Sequence, residues 1–155
     1  MKNYTTIGID PGANGALCFM LPSGLIIIHR TSKTPPIEAL QDAVTCAGAE
    51  NCVAYLEKIG GFIAGKGLPG SSMFKMGHNA GYWEGMLAAL GVRTIMVRPQ
   101  EWQKGITGTA GTKGPDRKRA LRDEAIRRFP AQKPTLETAD ALLIADYGHR
   151  HGSAE

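Results

Sequence analysis

The sequence predicts an α/β protein: one five-stranded mixed sheet with helices on both of its faces. Three observations carry this. Residues 4–30 read as three strands joined by connections too short to hold a helix. Beyond them, stretches of helical period alternate with short apolar runs, the pattern of crossover units. Finally, 155 residues, 43% of them apolar, make one domain. Such a domain buries roughly 70% of its unfolded surface, enough for a core without disulfides or a structural metal.

Tyr4 to Ile9 is β-branched and aromatic, hence a strand. Asp10-Pro11-Gly12-Ala13-Asn14-Gly15 is a turn cluster, and Ala16 to Leu21 is the second strand. Pro22-Ser23-Gly24 leaves room only for a hairpin turn before Leu25 to Arg30 returns. Ile37 to Ala49 carries apolar residues at 37, 40, 44 and 47, near helical period. Cys52 to Leu56 is a fourth strand and ends on Glu57. Five glycines and a proline between 60 and 70 mark a flexible loop, about 58–71 in all. Ser71 or Ser72 caps a helix that runs to Leu90, where Gly91 stops it. Arg93 to Val97 is the fifth strand, followed by Pro99 and a short helix through Trp102. A second flexible, Gly/Thr-rich stretch spans 105–114. Pro115 suits the first turn of a helix reaching Phe129, and Thr135 to Tyr147 forms the last helix. Nothing divides the chain, so 1–155 reads as a single domain.

Composition narrows the function classes. The longest apolar runs, Ala16 to Leu21 and Leu25 to Ile28, fall far short of the ~20 residues that span a bilayer. Residues 1–6 lack the apolar segment of a signal peptide. Three cysteines, Cys18, Cys46 and Cys52, with no CxxC, predict a reduced, cytoplasmic setting and no zinc site. Cys18 and Cys52 sit in strand-like runs and read as small core residues. The net charge of +4 is uneven. Between Arg98 and Lys133 ten basic residues face four acidic ones, a net of +6, and the rest of the chain carries −2. Two readings fit: a surface for a polyanion, or a solvated helix face.

The acids carry the chemistry. Asp10 ends the first strand and opens a Gly-rich turn; Glu57 ends the fourth in the same way. Strands one and four are candidates to lie side by side, presenting both carboxylates at a strand-end crevice. The plainer alternatives are a turn Asp bonded to its own backbone and a solvated Glu. Glu137 and Asp140, spaced i,i+3 on the last predicted helix, share a face. Asp140 lies within Ala139-Asp140-Ala141-Leu142-Leu143-Ile144-Ala145, too apolar a segment for an unpartnered acid. The alternative is a helix N-terminal acid favoured by the macrodipole. Four converging carboxylates repel unless a cation compensates, and apart from Lys58 no Lys or Arg is expected beside them. All-oxygen ligation selects Mg²⁺ or Mn²⁺, and two such ions support phosphodiester hydrolysis.

These segments look familiar together. Ile7-Gly8-Ile9-Asp10-Pro11-Gly12 with a following hairpin, then Tyr55-Leu56-Glu57-Lys58, then Glu137-Thr138-Ala139-Asp140-Ala141-Leu142 resembles the RuvC-type Holliday junction resolvases, in order and across nearly the whole chain. The short length suggests the small bacteriophage or bacterial members. The resemblance implies a ribonuclease H-like fold and a metal-dependent crossover junction endodeoxyribonuclease, with two Mg²⁺ per site, Mn²⁺ substituting, and no nucleotide cofactor. It implies in-line attack by a bound water, leaving 5′-phosphate and 3′-hydroxyl ends. Asp10 and Glu57 match the first two metal-binding acids and Asp140 the final helical one. Glu137 stands where many members have Asp, a departure in arm length. Asp146, six residues past Asp140, points elsewhere and is left out.

The resemblance also implies a homodimer, which suits a two-fold symmetric junction. Its interface would be the helix from Ser72 to Leu90, with Tyr82, Trp83, Met86 and Leu87 as bulky residues that contact the second copy or fill the core. Lys58, Lys66, Lys75, Lys104, Lys113, Arg117, Lys118 and Arg119 are candidate junction-binding residues, Arg117 matching a basic position of the family. Arg122, Arg127 and Arg128 also read as plain helix charges. Phe62, with Ile63, would stack on an unpaired base or fold back onto the sheet. The alternatives are a flap or fork nuclease of the same fold, a junction-binding protein that does not cut, and an actin-like ATPase, for which the chain lacks a second domain.

Overall fold

The computed structural model describes residues 3–31, 35–60 and 70–152. The predicted residues Phe62, Ile63 and Lys66 lie outside the described residues. Strands β1 (Thr5–Asp10), β2 (Ala16–Met20) and β3 (Ile26–Arg30) form the expected antiparallel meander. After it come α1 (Ile37–Ala47), β4 (Cys52–Glu57), α2 (Gly70–Ala89) and β5 (Arg93–Val97). Helices α3 (Pro99–Trp102), α4 (Gly114–Arg128) and α5 (Ala139–His151) complete the chain. Among the described residues the sheet has five strands in the order β3-β2-β1-β4-β5. β1 lies parallel to β4, and β4 to β5, so strands one and four are neighbours as the sequence suggests.

The strand period divides two cores between the faces. On one, Ile7, Ile9, Leu17, Phe19, Ala54 and Leu56 meet Leu40 and Val44 of α1 and Trp83 and Leu87 of α2. On the other, Ala16, Cys18, Val53, Tyr55 and Val97 meet Trp102, Leu121, Ala125 and the body of α5. Helices therefore cover both faces. Trp83 and Leu87, weighed as dimer contacts, are fully buried in the first of these cores. Cys18 and Cys52 are buried small residues, as read. Among the described residues, no helix is long and apolar enough to cross a membrane.

Helix α5 is the middle of the molecule: every residue from Ala139 to Asp146 is buried. It lies so close to β1 that no side chain fits between them. A Cβ on Gly8 would stand 2.3 Å from the Ala141 carbonyl oxygen and 2.4 Å from the Ala145 nitrogen, both backbone atoms.

Two features differ from the sequence reading. The last helix begins at Ala139 and ends at His151, not Thr135 to Tyr147. The Thr135 N–H donates to Thr138 Oγ1 at 2.9 Å and the Ala139 N–H to the Thr135 carbonyl at 3.0 Å, so residues 135–138 form a capped turn that leads into the helix. Glu137 consequently lies in a turn, and the i,i+3 helical face with Asp140 does not exist. Residues 105–114, read as a loop, form a run of turns. Ile106, Thr109 and Thr112 N–H groups donate to the carbonyls of Gln103, Ile106 and Thr109, three residues back each time. Gly105, Gly108 and Gly111 supply the positive φ that each turn needs at its third position.

Gly8→Ala must therefore push α5 off the sheet. We expect a loss of about 3 kcal/mol in urea unfolding, the upper end of ordinary overpacking. A loss below about 0.5 kcal/mol would contradict the close β1–α5 packing.

Candidate active site

Parallel pairing aligns β1 and β4 up to Ile9 and Leu56, and one step further places Asp10 beside Glu57 at the strand ends. Both lie on the face that α5 covers, and the first turn of α5 brings in Asp140. Asp10 is 8% exposed and Asp140 5%. Gly12 N–H donates to Asp10 Oδ1 at 3.0 Å, so the turn role of Asp10 is real as well. Glu57 Oε1 accepts the indole N–H of Trp102 at 3.2 Å.

The three carboxylates sense one another. Burial pushes Glu57 up to about 7, and the charges of Asp10 and Asp140 push the same way; Trp102 and Lys118 oppose them. Burial also raises Asp140, against the pull of Lys118, while Asp10 adds to the rise. Lys118 is the cation that desolvated acids require: its ammonium pairs with Asp140 Oδ2. Burial alone would lower the Lys118 pKa, but Asp140, Asp10 and Glu57 outweigh it and the net shift is upward. Lys118 thus corrects the expectation that only Lys58 adjoins the acids. Its position in sequence hides this, because α4 must fold onto α5 before the pair exists.

Glu137 stands apart. It is half-exposed in its turn and pairs with Arg30 at the end of β3. Arg30 lies opposite Ala16, which lies opposite Asp10, so it occupies the same row and face of the sheet as Asp10. The structure therefore brings three of the four predicted acids within electrostatic reach of one another at the strand ends and ties the fourth to Arg30. Among the described residues, no three His, Cys, Asp or Glu side chains stand close enough together to hold an ion. The donor set nonetheless fits a hard divalent cation. It consists of carboxylates alone, and Asp140 Oδ1 is buried without a hydrogen-bond partner. Such an ion would take the charge-neutralising place that Lys118 now fills.

The basic residues sort by partner. Arg119 pairs with Asp116, and Arg122 with Asp123. Arg127 and Arg128 hold the Glu124 carboxyl down at about 2, and Arg128 also reaches Asp146 at 2.6 Å. Asp146 thus belongs to an ion-pair network. Lys58, Lys75, Lys104 and Lys113 are exposed. Arg117 lines a cleft of about 470 Å³ with Gln103, Lys104 and Thr109, and its buried Nε has no partner. A larger cleft between α1 and the β2–β3 hairpin, lined by Phe19, Ile27 and His29, contains none of the four predicted acids.

No protein-family model matches the chain, and no curated protein sequence does. Solved structures do match. The chain shares its fold with the Thermus thermophilus RuvC structure, with a TM-score of 0.57, 17% identity and 96% of each chain covered. T. thermophilus RuvC in complex with Holliday junction substrate gives the same TM-score and coverage at 16% identity. At this identity the likeness is one of fold, and the expected ribonuclease H-like architecture is met.

The raised Glu57 pKa has a consequence for stability. Between the ordinary 4.5 and about 7 the folded protein holds a proton that the unfolded chain has released. Stability therefore falls as pH rises through that window, by an order of ~3 kcal/mol, and Asp140 acts with the same sign. We expect urea midpoints of the metal-free protein to drop between pH 5 and pH 8, and Glu57→Gln to remove most of the drop. An undiminished drop in Glu57→Gln would place its source elsewhere.

Proposed function

We propose that the protein is a divalent-metal-dependent endodeoxyribonuclease that resolves four-way DNA junctions by paired, symmetric nicks, as a cytoplasmic homodimer. The observation that supports this is that Asp10, Glu57 and Asp140 lie within electrostatic reach of one another beside Lys118, at the strand ends of a fold shared with RuvC. The resolved neighbour that holds a Holliday junction substrate supports the choice of DNA.

Asp10, Glu57 and Asp140 would hold Mg²⁺ or Mn²⁺. A pair of such ions supplies an activated water and stabilises the leaving oxygen of a phosphodiester. The chain's own part is to desolvate three carboxylates, so that their combined negative potential favours a divalent cation over solvent. Lys118 keeps the metal-free crevice neutral enough to fold. With a cation held by the three acids, the Lys118 ammonium would be free to leave Asp140 and meet a phosphate oxygen. Glu137 contributes only by leaving Arg30, directly or through a water. Arg117 and Lys104, which line one cleft, would hold the DNA backbone. A two-fold dimer would nick opposed strands in register. The exposed Met73 and Phe74 on α2 offer that helix's free surface to it.

Incubation with labelled four-way, flap and linear duplex DNA, with and without Mg²⁺, separates the readings. We expect Mg²⁺-dependent nicking of the four-way substrate. Preference for flaps would favour a fork nuclease, and binding without cutting a junction-binding protein. Asp10→Asn should abolish nicking and spare junction binding; wild-type cutting by this variant would sink the assignment. Arg117→Ala should flatten the salt dependence of binding by about 0.9 log unit per log unit of salt. An unchanged slope would remove Arg117 from the DNA path.

A further inference from the structure

Trp102 is nowhere among the residues that sequence reasoning marks as functional, yet the local chain is arranged to deliver it. β5 ends at Val97, whose carbonyl accepts the Lys58 N–H at 2.7 Å and so locks the exit of β5 to that of β4. Arg98 N–H then donates to Glu101 Oε2 at 2.6 Å, and Pro99 presets the backbone of a single helical turn. That turn ends on Trp102, which is 2% exposed and packs among Val97, Leu121 and the body of α5. From there its indole N–H reaches Glu57 Oε1 across 45 residues of sequence.

We propose that Trp102 is a positioning residue for Glu57, fixing the carboxylate in the orientation that receives a divalent ion. The inference rests on the nuclease reading above. Three physical points favour it. An indole N–H is donor only, so a Glu57 carboxylate oxygen must accept it, and this favours one plane for the carboxylate. The donor is uncharged, so it orients Glu57 without cancelling the negative potential a cation needs. Lys118 on Asp140 is the opposite case, a charged and half-exposed partner that must depart. Finally, Trp102 is held by core packing and does not depend on DNA for its place. Hydrogen bonds of this kind to ligating groups are worth roughly 10–100-fold in metal affinity.

The test compares wild type with Trp102→Phe by Mn²⁺ titration calorimetry and by nicking kinetics, after melting curves establish that both fold. We expect Mn²⁺ binding to weaken about tenfold. kcat on the junction should fall similarly, with KM for DNA unchanged because no phosphate contact is lost. In wild-type protein labelled with ¹⁵N, the Trp102 indole resonance should move on Glu57→Gln substitution and on Mg²⁺ addition, while that of Trp83 stays. Wild-type Mn²⁺ affinity in Trp102→Phe overturns the inference. If that variant does not fold, an indole resonance indifferent to both Glu57→Gln and Mg²⁺ overturns it. A wild-type protein that binds no Mn²⁺ overturns the nuclease reading and takes this one with it. Wild-type binding with an unaffected variant overturns only the positioning role.

Discussion

Gly8 and the α5 backbone meet with no side chain between them. The chemistry of the strand ends follows from that contact. A helix seated this close carries Asp140 into the space above Asp10 and Glu57 and shuts water out of it. Charges placed so repel, and each is costly to desolvate alone. The fold tolerates the cost because α5 buries apolar surface all round it, Ala139 and Ala141 to Ala145 lying in the core. Apolar packing near the middle of the sheet thus holds an electrostatically unfavourable arrangement at its edge.

The cations nearby are disposed accordingly. Lys118 and Arg30 each engage one acid, and both remain substantially exposed, so neither pair is sealed from solvent. The Arg30–Glu137 pair, exposed on both sides, is weak, within about 1 kcal/mol, whereas Lys118 reaches in from a half-exposed position to a buried Asp140 carboxylate. The deeper arginines, Arg128 above all, are bound into the Glu124–Asp146 network and serve the α4–α5 packing. The basic excess between Arg98 and Lys133 therefore has two parts, one consumed internally and one left facing the crevice and the turn region before α4.

The strands were legible because their signals are local: β-branched runs, a three-residue hairpin connection, acids at run ends. The neighbouring of β1 and β4 followed from topology. What stayed hidden depends on contacts between distant segments. Glu137 was assigned to a helix because helical spacing and an acidic first turn agree there. The two threonines that shape the turn before it are visible as Thr135 and Thr138, but their mutual hydrogen bonding is not. Lys118 reads in sequence as a junction-binding candidate and Arg30 as a strand end, since only tertiary packing and sheet register bring them to the acids. Trp102 enters the sequence reading only as the end of a short helix, and nothing in its own segment announces the carboxylate it meets. The glycines at 105, 108, 111 and 114 recur every third residue, a regularity open to inspection that composition alone turns into a loop.

That regularity sets a rule for how the segment can change in length. Each Gly-containing triplet closes one turn and returns the chain to the same local direction. Adding or deleting a whole triplet would move α4 along the spiral and preserve the heading of its basic side chains. Adding a single residue would put a Cβ where a left-handed conformation is required and rotate everything downstream. Related sequences of different reach would therefore be expected to differ here in steps of three, which makes this stretch a graduated spacer between the acid-bearing sheet and the basic helix α4.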